Sequence, residues 1–252
     1  MKSRPTKRSD NIVVYNFNTG KGKKVQNQNF KMHQIHPLTD AQGETFDAYY
    51  EGYNLLLHGL AGTGKTFISL YLALREVLDG DTGRKNITIV RSVVPTRDMG
   101  FLPGSASEKS RIYEQPYNAI CNELFSRGDA YEVLKRRGVI DFMTTSYIRG
   151  TTMNDSIIIV DECQNMTFHE LDSTLTRIGH NSKILFCGDF RQTDLNKPYD
   201  RSGIKDFMSI LEIMSSFDYV EFGEEDIVRS GLVKEYIIAK ERSGFSDTLL
   251  PA

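Results

Sequence analysis

The run Gly59-Leu60-Ala61-Gly62-Thr63-Gly64-Lys65-Thr66 has the residue types and spacing to hold a polyphosphate. It fits Gly-x-x-x-x-Gly-Lys-Thr, the phosphate-binding P-loop. Glycines let the backbone curl so that successive N–H groups aim at one phosphate chain. Lys65 sets a cation on the β and γ phosphates, and the Thr66 hydroxyl is a ligand for Mg²⁺. All eight residues are therefore candidate nucleotide contacts. The flanks agree. Asn54 to His58 reads as a buried strand and Phe67 to Leu78 as a helix, whose N-terminus favours anions.

Two more groups of residues follow apolar strands. Ile157-Ile-Ile-Val160 runs into Asp161-Glu162. A strand ending in two acids suits a Walker B element, with Asp161 on the Mg²⁺ and Glu162 as general base toward water. An acidic turn is the bland alternative. Cys187-Gly188-Asp189-Phe190-Arg191-Gln192 follows Lys183 to Cys187. Strand C-termini of a parallel sheet share one side, so Asp189 and Gln192 arrive near the phosphates, where a glutamine can orient water. Gln42, ahead of the P-loop strand, is read either as an adenine-edge contact or as an exposed helix residue. Arg229 is read either as a catalytic cation on transition-state charge or as a surface residue.

Elements alternate between strand and helix from Leu38 onward. Helices are expected at Asp40–Tyr50, Tyr113–Phe125, Ala130–Arg137, Phe168–Ile178, Ile204–Met214 and Leu232–Lys240. Further strands are expected at Asn86–Val90, Val139–Met143 and Tyr219–Phe222. The alternation predicts an α/β fold, a parallel sheet covered on both faces. Two units are expected: a basic N-terminal arm at 1–37, partly disordered, and a single P-loop domain at 38–252. The arm carries eight Lys or Arg against the one acid Asp10, with a short strand at Ile12–Tyr15. It is either a solvated tail or a nucleic-acid contact. The long irregular stretch from Arg91 to Ser110 is a functional loop by its length.

With 252 residues and a net charge of −2, the chain is not a uniformly basic nucleic-acid binder. No apolar run is long enough to span a bilayer, and no signal peptide is expected. The three cysteines, Cys121, Cys163 and Cys187, form no Cys-x-x-Cys pair, which fits a reduced cytoplasm and argues against zinc.

Together these residues resemble the PhoH family of P-loop ATPases, in its short form often carried by bacteriophages. The shared motifs, all read from the sequence, are Gly59–Thr66, Gly100–Gly104, Arg149–Thr152, Asp161–Asn165, Leu175–Gly179, Gly188–Leu195, Ser202-Gly203 and Asp226–Arg229. Ser230 stands where histidine is expected and Cys163 where alanine is usual. The resemblance implies a RecA-like sheet similar to the first motor domain of superfamily-one helicases. It also implies hydrolysis of ATP with Mg²⁺, a tie to single-stranded RNA or DNA with RNA favoured, and a cytoplasmic setting (the host's, if phage-encoded). Arg91, Arg97, Phe101 and Arg149 are the candidate nucleic-acid contacts. With one P-loop and too little chain after Gln192 for a second motor domain, the closing arginine is expected from the same domain or a neighbouring copy. Arg229, Arg201 and Arg149 are candidates, and a homo-oligomeric ring, six copies favoured, is expected. An ATP-driven assembly switch without translocation is the alternative function. A nucleoside kinase is a lesser one, since no cysteine follows Cys187 to build that class's zinc lasso.

Overall fold

A computed structural model describes residues 12–16, 29–92, 106–190 and 198–243. Six strands form one sheet: β3 (Asn54–Gly59), β4 (Asn86–Arg91), β5 (Ile140–Thr144), β6 (Ser156–Asp161), β7 (Lys183–Gly188) and β8 (Phe217–Phe222). The order is β5-β4-β6-β7-β3-β8, and every pairing is parallel. Two shorter strands before the sheet, β1 (Ile12–Asn16) and β2 (Asn29–His33), pair antiparallel with each other.

Side chains alternate across a strand, so unbroken apolar strands feed two cores. Leu55, Leu57, Ile87, Ile89, Ile157, Ile159 and Leu185 face one side. There they meet α1 (Asp40–Glu51), α2 (Lys65–Asp79), α3 (Ala106–Phe125) and α4 (Ala130–Arg136). Leu56, Val90, Ile158, Val160, Ile184 and Phe186 face the other side, under α5 (Phe168–Leu175) and α6 (Pro198–Glu212). The last helix, α7 (Gly231–Arg242), has no buried residue and leaves Leu232, Val233 and Tyr236 exposed.

Helix ends follow capping chemistry. The Thr39 side chain accepts from the backbone N–H of Gln42 to start α1, and Gly52 ends it in the left-handed conformation. Thr167 and Glu170 form a reciprocal capping box on α5. This helix stops at Leu175, short of the expected Ile178, because Ile178 bridges to Met153 beside the sheet.

The segment before Leu38 contains structure that its basic composition hides. Phe30 and Met32 of β2 are fully buried in the first core, and the Tyr15 hydroxyl of β1 donates to Asp79 on α2 at 2.9 Å. Phe30 packs against Phe125 of α3 with ring centroids 4.8 Å apart. The strand Asn29–His33 carries the period-two pattern of a half-buried strand, Phe30 and Met32 inward with Lys31 outward.

Lys183, at the start of β7, is an unusual core residue. It is 3% exposed, donates to the Tyr49 carbonyl at 2.6 Å and lies 4.0 Å from the Tyr49 ring. Burial pulls its pKa down to about 8, against the opposing pull of Glu76 and with a smaller push from Arg84. In the unfolded chain the lysine keeps this proton up to its ordinary value of 10.5. Between those values the unfolded state binds more protons, so this group adds stability as pH rises. The melting-temperature difference between the parent and Lys183→Met is expected to shift toward the parent from about pH 7 to about pH 9.5. A difference that stays constant across that window would show that Lys183 does not titrate there.

Candidate nucleotide and metal site

The P-loop leaves β3 at Gly59 and enters α2 at Lys65. Gly59, Gly62 and Gly64 have φ of 132°, 77° and 90°, the region where a side chain is strained. Gly62 also lacks room: a Cβ there would sit 2.8 Å from Cγ of Arg229. The cap of α2 is Gly64, with no side-chain capping bond, so its first-turn N–H groups present their positive end to an anion.

Lys65 is buried, and its ammonium donates to the carbonyls of Gly59 at 2.8 Å and Leu60 at 2.7 Å. Burial lowers its pKa, and the charges of Asp189 and Glu162 oppose that shift. Those acids thus lie close enough to hold the lysine's charge. The Thr63 hydroxyl donates to the Leu60 carbonyl and helps close the loop.

The two expected metal ligands meet. The Thr66 hydroxyl donates to Oδ1 of Asp161 at 2.7 Å, from the start of α2 to the end of β6. Two oxygen donors at that separation beside a phosphate loop suit a hard divalent cation. Asp161 is 4% exposed. Glu162 follows in the left-handed region at φ 51°, ψ 40°. For a glutamate this costs about 1–3 kcal/mol, and such strain gathers where a side chain must be re-aimed.

Gln164 binds the second and third motifs together. Its amide nitrogen donates to Glu162 at 2.6 Å, and its amide oxygen accepts from the backbone N–H of Asp189 at 3.2 Å. Gly188 makes room for it, since a Cβ there would fall 2.7 Å from Gln164 Oε1 and 2.6 Å from the Cys163 sulfur. Asp189 is 5% exposed and within electrostatic reach of Lys65. All three free cysteines are buried, and burial pushes the Cys121 and Cys187 thiols up to about 12.

The other expected residues take up varied positions. Gln42 is not the exposed helix residue that one reading expected. It is 3% exposed, its amide nitrogen donates to the Thr63 carbonyl at 3.0 Å, and its amide oxygen accepts from the Leu38 N–H at 2.9 Å. It braces the P-loop from behind. Arg91, a candidate nucleic-acid contact, is opposite Asp161 in the sheet register and half-buried. Its charge faces Tyr117, Asp161 and Glu162.

Arg229 is exposed at its head, while its stem lies over Gly62 of its own chain. The neighbouring Val228 N–H donates to the Gly62 carbonyl at 3.1 Å, which pins the segment to the loop. Arg149 is exposed beyond β5 and lines a cleft with Thr145, Ser146, His169, Glu170 and Ser173. Four strand positions separate β5 from the P-loop strand, about 19 Å at the usual spacing. Gln192, Arg97 and Phe101 lie outside the described residues, as does the side chain of Arg201.

Tyr117 is a site residue that the sequence does not mark. It comes from the middle of α3, is fully buried, and donates its hydroxyl to Oδ2 of Asp161 at 2.7 Å. Burial and then the charge of Asp161 hold the phenol protonated well above its usual pKa. No local pattern reveals it, because the contact joins residues 44 positions apart.

The two readings of Gln42 separate by experiment. A brace for the loop serves every nucleoside triphosphate alike. Gln42→Ala is expected to weaken ATP and GTP together by about 3- to 10-fold, the worth of one hydrogen bond. Titration with fluorescent analogues of both nucleotides checks this, and a loss confined to ATP would make Gln42 an adenine contact.

The PhoH family model, described as PhoH-like protein, matches residues 34–241. A PhoH-like protein of Synechocystis is 35% identical over 187 residues, covering 73% of this chain and 56% of that one. Protein PhoH of Escherichia coli K12 is 34% identical over 183 residues, 72% of this chain and 51% of its own length. The chain thus spans about half the length of these relatives. Among solved structures, the large terminase of a thermophilic bacteriophage aligns with 80% of this chain and 50% of its own. Its sequence identity is 12% and its TM-score 0.46, a likeness too loose to argue from. The family match and the parallel P-loop sheet agree: this chain belongs to the PhoH family.

Proposed function

We propose that this chain hydrolyses ATP with Mg²⁺ and couples that hydrolysis to single-stranded nucleic acid, RNA before DNA. The observation that carries the reading is the 2.7 Å hydrogen bond from Thr66 to Asp161, which joins the P-loop to the acid pair. Thr66 and Asp161 would hold the cation, which supplies neutralising charge to the β and γ phosphates. The N–H groups of the loop and Lys65 hold the phosphate chain. Glu162 accepts a proton from water as the water oxygen bonds the γ-phosphorus, and the bridging oxygen leaves with ADP. Gln164 holds Glu162 by its amide, which fixes the base without protonating it. Arg229 stands over Gly62 in the same chain, placed to add positive charge at the loop.

The nucleic-acid part of the reading is supported by Arg149. It is exposed and opens onto a cleft with His169, Ser146, Ser173 and the acid Glu170, of which the arginine, the imidazole and the two hydroxyls suit phosphate oxygens. Ring assembly, six copies favoured, is supported by α7, whose exposed Leu232, Val233 and Tyr236 flank the helix that reaches Gly62 through Ile237. The three buried free cysteines suit a reducing compartment such as the cytoplasm. Among the described residues no helix is long and apolar enough to cross a membrane.

Steady-state phosphate release from ATP tests the reading. Single-stranded RNA is expected to raise the rate more than single-stranded DNA, and Lys65→Ala to abolish release with either. Glu162→Gln is expected to lower kcat by about 10²- to 10⁴-fold. Release indifferent to both strands would favour an ATP-driven assembly switch. Sedimentation is expected to show an oligomer, and a fully active monomer would exclude the ring.

A further inference from the structure

Asp161 is held by both of its oxygens, from two different elements. Thr66 of α2 donates to Oδ1, and Tyr117 of α3 donates to Oδ2, each at 2.7 Å. A carboxylate with one donor can still turn about its terminal bond. With donors on both oxygens from two anchored helices, its plane is set. Tyr117 is itself well anchored. Its side chain is fully buried, its ring lies 6.0 Å from that of Phe142 on β5, and the Arg91 guanidinium reaches its hydroxyl from β4. The residue before it is Pro116, inside a helix of 20 residues. An interior proline removes one helix bond and is costly, and such breaches of local preference gather where function demands a position.

We propose that Tyr117 is a positioning residue for the metal-bearing carboxylate: it locks Asp161 in the orientation that receives Mg²⁺ with the bound nucleotide, and Arg91 locks Tyr117. The inference rests on the ATP–Mg²⁺ reading above. It assigns α3 a direct hand in metal affinity, although α3 lies outside every nucleotide motif. The competing explanation is that Tyr117 merely satisfies a buried acid. That role would support the fold and would not distinguish nucleotide binding with Mg²⁺ from binding without it.

The test compares the parent and Tyr117→Phe, which keeps the ring and loses only the hydroxyl. A fluorescent ADP analogue is titrated in excess chelator and again in millimolar Mg²⁺. In chelator the two proteins are expected to bind equally, because the P-loop is untouched. Added Mg²⁺ is expected to tighten the parent, and to tighten Tyr117→Phe about 10-fold less, the usual effect of losing a partner behind a metal ligand. If Tyr117→Phe does not fold, as judged by its melting transition, Arg91→Lys carries the same comparison. That variant keeps the charge but loses the fork, and about 3-fold less tightening is expected. Equal tightening in the folded variant and the parent would overturn the inference alone. A parent that binds no nucleotide, or binds it without regard to Mg²⁺, would overturn the hydrolysis reading and this one together.

Discussion

The hydrogen bond between Thr66 and Asp161 is the contact around which the remainder of the site is arranged. It spans 95 residues of chain and joins the first turn of α2 to the last residue of β6. Neither partner could be there without the parallel register. Parallel pairing puts all six strand C-termini on one side, and β7 between β6 and β3 sets the lateral gap that α2 must bridge. The glycines at 59, 62 and 64 then let the loop curl far enough for Thr66 to reach. A strand slipped by one residue would turn Asp161 to the other face and break the bridge.

The acids here are buried and close together, which would be costly if left alone. Asp161 and Asp189 are 4% and 5% exposed. Asp161 is tolerated because Thr66 and Tyr117 donate to its two oxygens, and Asp189 and Glu162 have the charge of the Lys65 ammonium within electrostatic reach. Arg91 adds a second cation from the opposite side of the acid pair. Lys65 and Arg91 thus both interact with the acids by charge, so positive charge offsets the buried carboxylates before any ligand arrives.

Much of this is legible in the sequence, and the division follows range. The P-loop, the acid pair and Asp189 are each local: an apolar strand followed by chemistry within a few residues. The fold class follows from the same strands, since unbroken runs such as Ile157 to Val160 suit burial on both faces. Three features are hidden because they depend on contacts across the chain. Tyr117 lies on a helix with no motif around it. Gln42 has the type of an adenine contact, and only the fold turns its amide onto the Thr63 carbonyl. Arg91 is the last residue of a strand, and whether it meets solvent or Asp161 depends on which strand lies beside it. The pair β1 and β2 is half visible. Phe30 and Met32 alternate with polar residues, but the basic composition of that segment masks the alternation.

The sheet also explains why Arg229 lies against the P-loop of its own chain and Arg149 does not. β8 neighbours β3, so the chain that leaves β8 passes directly over the P-loop, and Val228 and Arg229 touch Gly62 within seven residues of Phe222. Arg149 leaves β5 at the opposite edge, on the same side of the sheet but across its full width. Adjacency in strand order, and not the type of side chain, decides which charge lies beside the P-loop. The consequence is that the P-loop is covered on its β8 side by its own chain. Toward the β5 edge, Tyr117 of α3 donates to Asp161, and the charge of Arg91 on β4, the strand beside β5, faces Asp161 and Glu162.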